Sequence, residues 1–393
     1  MIQVYSKAKK QSIETERIIG CVKGKNPGPT LIFFAGIHGN EPAGVFALKE
    51  VLHEITDDNV VENGTVYAIG GNLKALANGV RYLNKDLNRM WLKPYLNGQP
   101  YSTEDPPAEF IEMKSILDQL KEILTQEQGP FYFFDLHTTS SHSLPFITIN
   151  DTMLNRIFAM HFDVPVILGI EEYLDGPLLS YVNTLGYISI GFESGQHDQL
   201  ESIEMHKHFI KMSMKITGVN RGIDSRTTKN QNPTPTFYEI VYRHAIDNSI
   251  SFNMCPGFEN FQQIVKGEIL AYNNDSWLVS PEDGHIFMPL YQDQGDDGYF
   301  IIQPIARKYL RLSSLLRRIG VDSLLTLLPG IRYLDDSKKS LRINQHIAKY
   351  FAKDFLHLMG YRVKQQDSSH LIAHKREHRK AHLQYKGEHW FVE

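Results

Sequence analysis

A chain of 393 residues with 42% hydrophobic and 22% charged residues is long enough for two domains and a substantial core, and its composition is that of a soluble globular protein. A formal charge of -4 gives no bulk attraction to nucleic acid or to anionic membrane. No run reaches the roughly 18 to 20 apolar residues that span a bilayer. The two cysteines, Cys21 and Cys255, and the lack of an apolar leader after Met1 point to reduced thiols and a cytoplasmic location.

In chain order, residues 31–37 read as a buried strand that turns into a helix carrying Val45, Leu48, Leu52 and Ile55 at helical spacing. Asn40 suits a helix cap and Pro42 the first turn. Residues 65–69 read as a second strand. Phe110, Met113, Leu117, Leu120 and Leu124 mark an amphipathic helix that ends at Gly129–Pro130, and the aromatic run 131–134 begins another strand. Further strands are expected near 144–149, 164–168 and 187–192, and a helical stretch after Asp198 closes the unit near residue 217. Strands alternating with helices predict an α/β domain over residues 1–217 with a mainly parallel or mixed central sheet flanked by helices.

Residues 218–236, rich in Gly, Asn, Thr and Pro, read as a linker or long loop. Short apolar runs separated by glycine turns predict a smaller β-rich domain over 237–305. Residues 306–393 read as a helical C-terminal extension, with Leu312, Leu315, Leu316 and Ile319, then Ile347, Phe351, Phe355 and Leu358, at helical spacing. A basic tail, His374 to Lys380, presents a solvated charged face.

The chemistry-bearing segment is Phe33-Phe34-Ala35-Gly36-Ile37-His38-Gly39-Asn40-Glu41. A strand-to-helix turn brings positions i and i+3 together, so His38 and Glu41 can offer a nitrogen and a carboxylate to one metal ion. Alone, this pair is also what a surface turn with a capping glutamate would leave. A second strand end, Asp135-Leu136-His137-Thr138-Thr139, can supply a third ligand, with Asp135 as a candidate to orient the histidine ring. Two histidines and a carboxylate leave a zinc ion an open coordination position, as a catalytic site requires. His142 lies in a serine-rich loop, His206 and His208 fall on an expected surface helix, and His197 stands at the site edge. Glu193 ends the apolar stretch Tyr187-Ile188-Ser189-Ile190-Gly191-Phe192, where a carboxylate near the core needs a partner.

In order, Gly36-Ile37-His38-Gly39-Asn40-Glu41, then Arg81-Tyr82-Leu83-Asn84-Lys85-Asp86-Leu87-Asn88-Arg89, Asp135-Leu136-His137-Thr138-Thr139 and Phe192-Glu193-Ser194-Gly195 resemble the motifs of the aspartoacylase and succinylglutamate desuccinylase family, which is related to zinc carboxypeptidases. The resemblance covers about residues 30–200. It implies a zinc-carboxypeptidase-like fold and a Zn2+ site with His38, Glu41 and His137 as ligands. It further implies that Arg81 polarises the scissile carbonyl, that Asn88 and Arg89 grip a substrate carboxylate, and that Glu193 is the general base and later proton donor. The run Ser194-Gly195-Gln196-His197 departs from the Val-Gly-Pro usual in aspartoacylase-like members, so aspartoacylase specificity does not carry over.

The activity so implied is hydrolysis of the amide bond of an N-acyl amino acid or related small carboxylated amide, with no nucleic-acid or membrane partner. A metallocarboxypeptidase acting on peptide termini and a non-catalytic, metal-stabilised binding protein are the alternatives. Oligomeric state, a homo-oligomer included, is not legible.

Overall fold

The computed structural model describes residues 1–57, 60–99, 106–220, 235–247, 251–274, 276–334, 338–344, 352–365, 370–377 and 382–391. Strands β1 (Ile2–Ser6), β2 (Gln11–Thr15) and β3 (Ile18–Lys23) lead into β4 (Asn26–Ala35), α1 (Ala43–Asp57) and β5 (Asn63–Gly70). Helix α2 (Leu73–Asn78), a 3-10 turn at Leu87–Arg89, α3 (Lys93–Leu96) and α4 (Ala108–Gln126) follow. Next come β6 (Phe131–Thr139), β7 (Phe146–Ile149), α5 (Met153–Ala159), β8 (Val166–Leu168), α6 (Ile170–Tyr173), α7 (Leu178–Thr184), β9 (Ile188–Gln196) and α8 (Leu200–Ile216).

The 237–305 region holds β10 (Phe237–Ala245), β11 (Phe252–Met254), β12 (Gln263–Ile264), β13 (Ile269–Asn273), β14 (Ser276–Val279), β15 (Gly284–Phe287) and β16 (Asp297–Pro304). The C-terminal region holds α9 (Arg307–Ile319), a 3-10 segment Val321–Leu327, β17 (Ile331–Tyr333), β18 (Ser340–Asn344), α10 (Ala352–Leu358), β19 (Tyr361–Gln365), β20 (His370–Lys375) and α11 (His382–Tyr385).

An 11-stranded mixed sheet in the order β12-β15-β16-β10-β8-β7-β9-β6-β4-β5-β3 forms the spine. Its centre is parallel, with β4 beside both β5 and β6, and β6 beside β9. Strand β7 runs antiparallel to β9. Successive side chains on a strand point to opposite faces, and the central strands are apolar on both. On one face Leu31, Phe33, Tyr132, Phe134, Ile190 and Phe192 share a core with the buried stripes of α1 and α8. On the other, Ile32, Phe34, Phe131 and Phe133 pack against α4, α7 and the Leu87–Trp91 turn. Polar residues at the ends of these strands therefore emerge on the second face, beyond the aromatic layer.

The β-rich stretch divides between two sheets. Strands β10, β16, β15 and β12 continue the large sheet through the parallel β8–β10 pair, while β11, β13 and β14 form a separate sheet. Residues 306–393 carry helices and also a four-stranded antiparallel sheet, β17-β18-β20-β19, around their own apolar cluster of Leu341, Ile343, Leu356, Tyr361 and Ala373. Helical spacing did not reveal that sheet. In α9 the spacing is right but the stripe faces outward, with Leu312, Leu315 and Ile319 exposed. Ile347 and Phe351, most of the 218–236 linker and the last residues of the basic tail lie outside the described residues. Within the described part of that tail, Arg376 is buried rather than solvated, because Asp151, Glu171 and Glu172 pair with it.

Candidate metal centre and pocket

His38 follows β4, and Glu41 precedes α1, whose first turn is closed by Val45 and Phe46 donating to the Pro42 carbonyl. The turn lies against α2 so closely that a Cβ on Gly39 would stand 2.1 Å from the Ala75 carbonyl carbon, and Gly36 has a φ of +72°. Glycine is required at both positions. His137 lies on β6 in register with Glu193 on β9. Asp135, His137 and Glu193 share the face on which the strand ends open.

Among the described residues, His38, Glu41 and His137 each offer a ligand atom, all within 4.8 Å of one another, and all three side chains are buried. His38 Nδ1 is 2.8 Å from Glu41 Oε1, and His137 Nδ1 is 3.0 Å from Glu41 Oε2. The second ring nitrogens face outward to carboxylates. His137 Nε2 is 2.8 Å from Asp135 Oδ2, and His38 Nε2 is 3.2 Å from Asp86 Oδ1. Residues i and i+2 of a strand lie on one face, so strand direction favours the Asp135–His137 contact. Carboxylates on the distal nitrogens fix ring orientation and leave both Nδ1 atoms toward the centre. Such a donor set could coordinate a metal such as Zn2+.

Burial alone would raise the Glu41 pKa, but His38 and His137 overcome it and hold the carboxyl well below its ordinary range. Burial works against protonation of His137, yet Asp135 and Glu41 together raise its pKa well above normal. Glu193 differs. Burial, with Glu41 and Asp135 adding to it against the pull of His137 and Arg81, pushes it up to about 8. Among the described residues its Oε2 has no hydrogen-bond partner.

Arg81 reaches Asp86 Oδ2 at 3.1 Å and Glu41 Oε1 at 3.5 Å. Asp86 is thus shared by His38, Arg81 and the Asn88 N–H it caps at 2.7 Å. The loop before it is gripped by Glu109, which accepts from the backbone N–H groups of Leu83, Asn84 and Lys85 at 2.7, 3.1 and 3.2 Å. The Asn88 side-chain oxygen accepts from Leu178 N–H at 2.9 Å, and Arg89 is ion-paired with Asp297 at 3.2 Å.

His38, Glu41, Arg81, Asn88, Arg89, His137 and Glu193 line one pocket. His197 also lines it, held between the Thr138 hydroxyl at 2.7 Å and Gln292 Oε1 at 3.1 Å. Since Gln292 Oε1 can only accept, Nε2 of His197 carries the proton and Nδ1 accepts from Thr138. His142 is exposed beside Glu259, away from the cluster, and His208 is exposed. His206, expected on a helix surface, is instead buried against Phe192, and burial pushes its pKa down to about 3. Asp86, Glu109, Gln292 and Asp297 were not singled out from the sequence. The only local signal among them is Asp86, a helix-capping residue type just before Leu87-Asn88-Arg89.

Residues 27–211 match the sequence model of the succinylglutamate desuccinylase/aspartoacylase catalytic domain. Succinylglutamate desuccinylase of Pseudomonas fluorescens is 35% identical over 288 residues, which cover 68% of this chain and 80% of that protein. The Photorhabdus laumondii protein of the same name is 30% identical over 150 residues, 37% of this chain and only 45% of its own length. The crystal structure of the Vibrio parahaemolyticus succinylglutamate desuccinylase superposes with a TM-score of 0.57 at 16% identity, covering 77% of this chain and 90% of that one. That likeness is one of fold.

Proposed function

The chain belongs to the succinylglutamate desuccinylase/aspartoacylase family, related to zinc carboxypeptidases, and from that premise we propose that it is a zinc-dependent hydrolase of the amide bond in an N-acyl amino acid or similar small carboxylated amide. The observation that carries this reading is the convergence of His38 Nδ1, His137 Nδ1 and the Glu41 carboxylate, beside a Glu193 whose buried Oε2 has no partner among the described residues. The donor set fits Zn2+, because both imidazoles have a carboxylate behind them and both Nδ1 atoms point to Glu41. When bound by these three residues, the ion supplies Lewis acidity at a position that protein ligands leave open.

The rest of the chemistry falls to side chains of this chain. Glu193 faces the same space and is dehydrated, so its carboxyl group can take a proton from an attacking water and later deliver it to the departing amine. It ionises more readily beside a bound cation than its metal-free pKa indicates, since opposite charge favours the carboxylate. Arg81 is pinned by Asp86, which aims its guanidinium at the pocket and stabilises negative charge developing on the carbonyl oxygen. Arg89 presents paired donors to a substrate carboxylate in exchange for its contact with Asp297, and the Asn88 amide group adds a neutral donor. No helix of the described residues is long and apolar enough to cross a membrane. The free thiols of Cys21 and Cys255 accord with the cytoplasmic location that forms part of this reading.

The test combines metal analysis with hydrolysis of a panel of N-acyl amino acids and short peptides by the unaltered protein and by Glu193→Gln. Zinc retained with turnover lost in the variant is the expected result. Unchanged turnover would remove Glu193 from the base role, and a stoichiometry far below one zinc per chain would overturn the metal site.

A further inference from the structure

We propose that the C-terminal extension shapes the apolar wall of the pocket and thereby selects an amide with a single carboxylate and an otherwise apolar body. This rests on the amidohydrolase reading above and concerns which amide the same site admits.

Two short segments of the catalytic region face the pocket with some residues and the extension with their neighbours. Ile149 and Asn150 line the pocket, while Asp151 accepts from Arg317 at 2.7 Å and from Arg376 at 3.2 Å. Ile170 and Leu174 line it too, while Glu171 meets Arg376 Nε at 2.9 Å and Glu172 meets another nitrogen of the same guanidinium. Arg362 of β19 completes the grip, donating to the Leu174 carbonyl at 3.3 Å and to Asp175 Oδ1 at 3.1 Å. A guanidinium bound at several points orients the backbone carrying its acceptors, so the positions of Ile170 and Leu174 depend on residues more than 180 positions away in sequence.

The wall so placed, continued by Leu179 and Phe300, offers no cation among the described residues. Arg81 and Arg89 are the guanidinium groups among the described lining residues, and each already meets a carboxylate. Asp296 adds negative charge to the same lining, and Asp297 is held between Arg89 and Arg243. One substrate carboxylate can compete with Asp297 for Arg89. A second would enter where the lining offers apolar side chains, the Asp296 carboxylate and only uncharged polar groups such as Asn150 and Ser180, and it would lose its hydration with no further guanidinium among the described lining residues to offset the loss.

Calorimetric titration of zinc-loaded Glu193→Gln, in which turnover should be lost, with N-acetylphenylalanine and with N-acetylglutamate reads this preference as binding, and steady-state kinetics on the unaltered zinc-loaded protein read it again. The phenylalanine derivative should bind about tenfold more tightly or better, in the range that differential pocket contacts supply. Arg362→Ala should narrow that ratio through KM rather than kcat, with zinc content unchanged, and Arg362→Lys should restore part of it. Asp175→Asn, a milder change on the other side of the same ion pair, serves if Arg362→Ala does not fold. Equal or tighter binding of N-acetylglutamate would overturn the substrate class. An unaltered ratio in the folded variants would overturn the role of the extension. Selective binding with no hydrolysis by the zinc-loaded protein would instead count against the amidohydrolase reading and leave the selection intact.

Discussion

Two buried charge clusters in this molecule are built from similar residues and balanced differently. Behind the pocket wall, Asp151, Glu171, Glu172 and Glu377 meet Arg156, Arg317 and Arg376, and Asp151 accepts from all three guanidinium groups. At the ends of β4, β6 and β9, Glu41, Asp86, Asp135 and Glu193 are answered by Arg81 and two imidazoles. The first cluster answers its carboxylates with guanidinium groups, which stay charged across the working pH range, and joins the extension to the rest of the chain. The second relies on one guanidinium and two imidazoles, and its Glu193 Oε2 has no partner among the described residues. An unpartnered buried carboxyl costs stability, and imidazoles give up their protons where a divalent cation would bind.

Four measurements press on this contrast. The largest effect is expected for Glu193→Gln, which should lower kcat by about 10²–10⁴-fold, the range for a positioned acid–base group, while leaving the folded state as stable or more so. Loss of stability on that change would erase the distinction between the clusters. Arg317→Met should do the opposite, destabilising the protein by about 1–3 kcal/mol in urea denaturation by leaving the buried Asp151 carboxylate with two of its three guanidinium partners. Asp135→Asn removes the charge behind His137 and should weaken zinc binding by about 10–100-fold in a chelator competition, with a smaller effect on stability.

The smallest effect is a pH dependence. The Glu193 pKa is raised from 4.5 to about 8 by burial first, so between those values the folded, metal-free state holds a proton that the unfolded chain has released. Its contribution is present in full below about 4.5 and lost as pH rises through about 8. The stability difference between the metal-free parent and Glu193→Gln should shift against the parent across that window. In the same direction, His137 is held protonated by Asp135 and Glu41 despite burial, and zinc must displace that proton, so apparent zinc affinity should rise with pH.

Much of this arrangement was legible in the chain because it depends on local periodicity. The apolar runs before His38, His137 and Glu193 are strands whose ends meet, and the spacing of Val45, Leu48, Leu52 and Ile55 is that of α1. What was not legible is tertiary. Asp86 lies 48 residues from the His38 it supports, and Asp297 lies 208 residues from Arg89. Nothing in the pattern around Glu109 announces that it will collect three backbone N–H groups from another loop. The strands of the extension are short, three to six residues, and lie outside the runs 312–319 and 347–358 whose spacing is helical, so pairing rather than a long periodic pattern decides them.

The most direct measurement is a zinc titration of the metal-stripped full-length protein, following amide hydrolysis at each addition. Turnover of an N-acyl amino acid should rise in proportion to bound zinc and reach its plateau near one ion per chain. Hydrolysis that is already complete in the stripped protein, or that stays absent at full zinc occupancy, would contradict a zinc-dependent amidohydrolase.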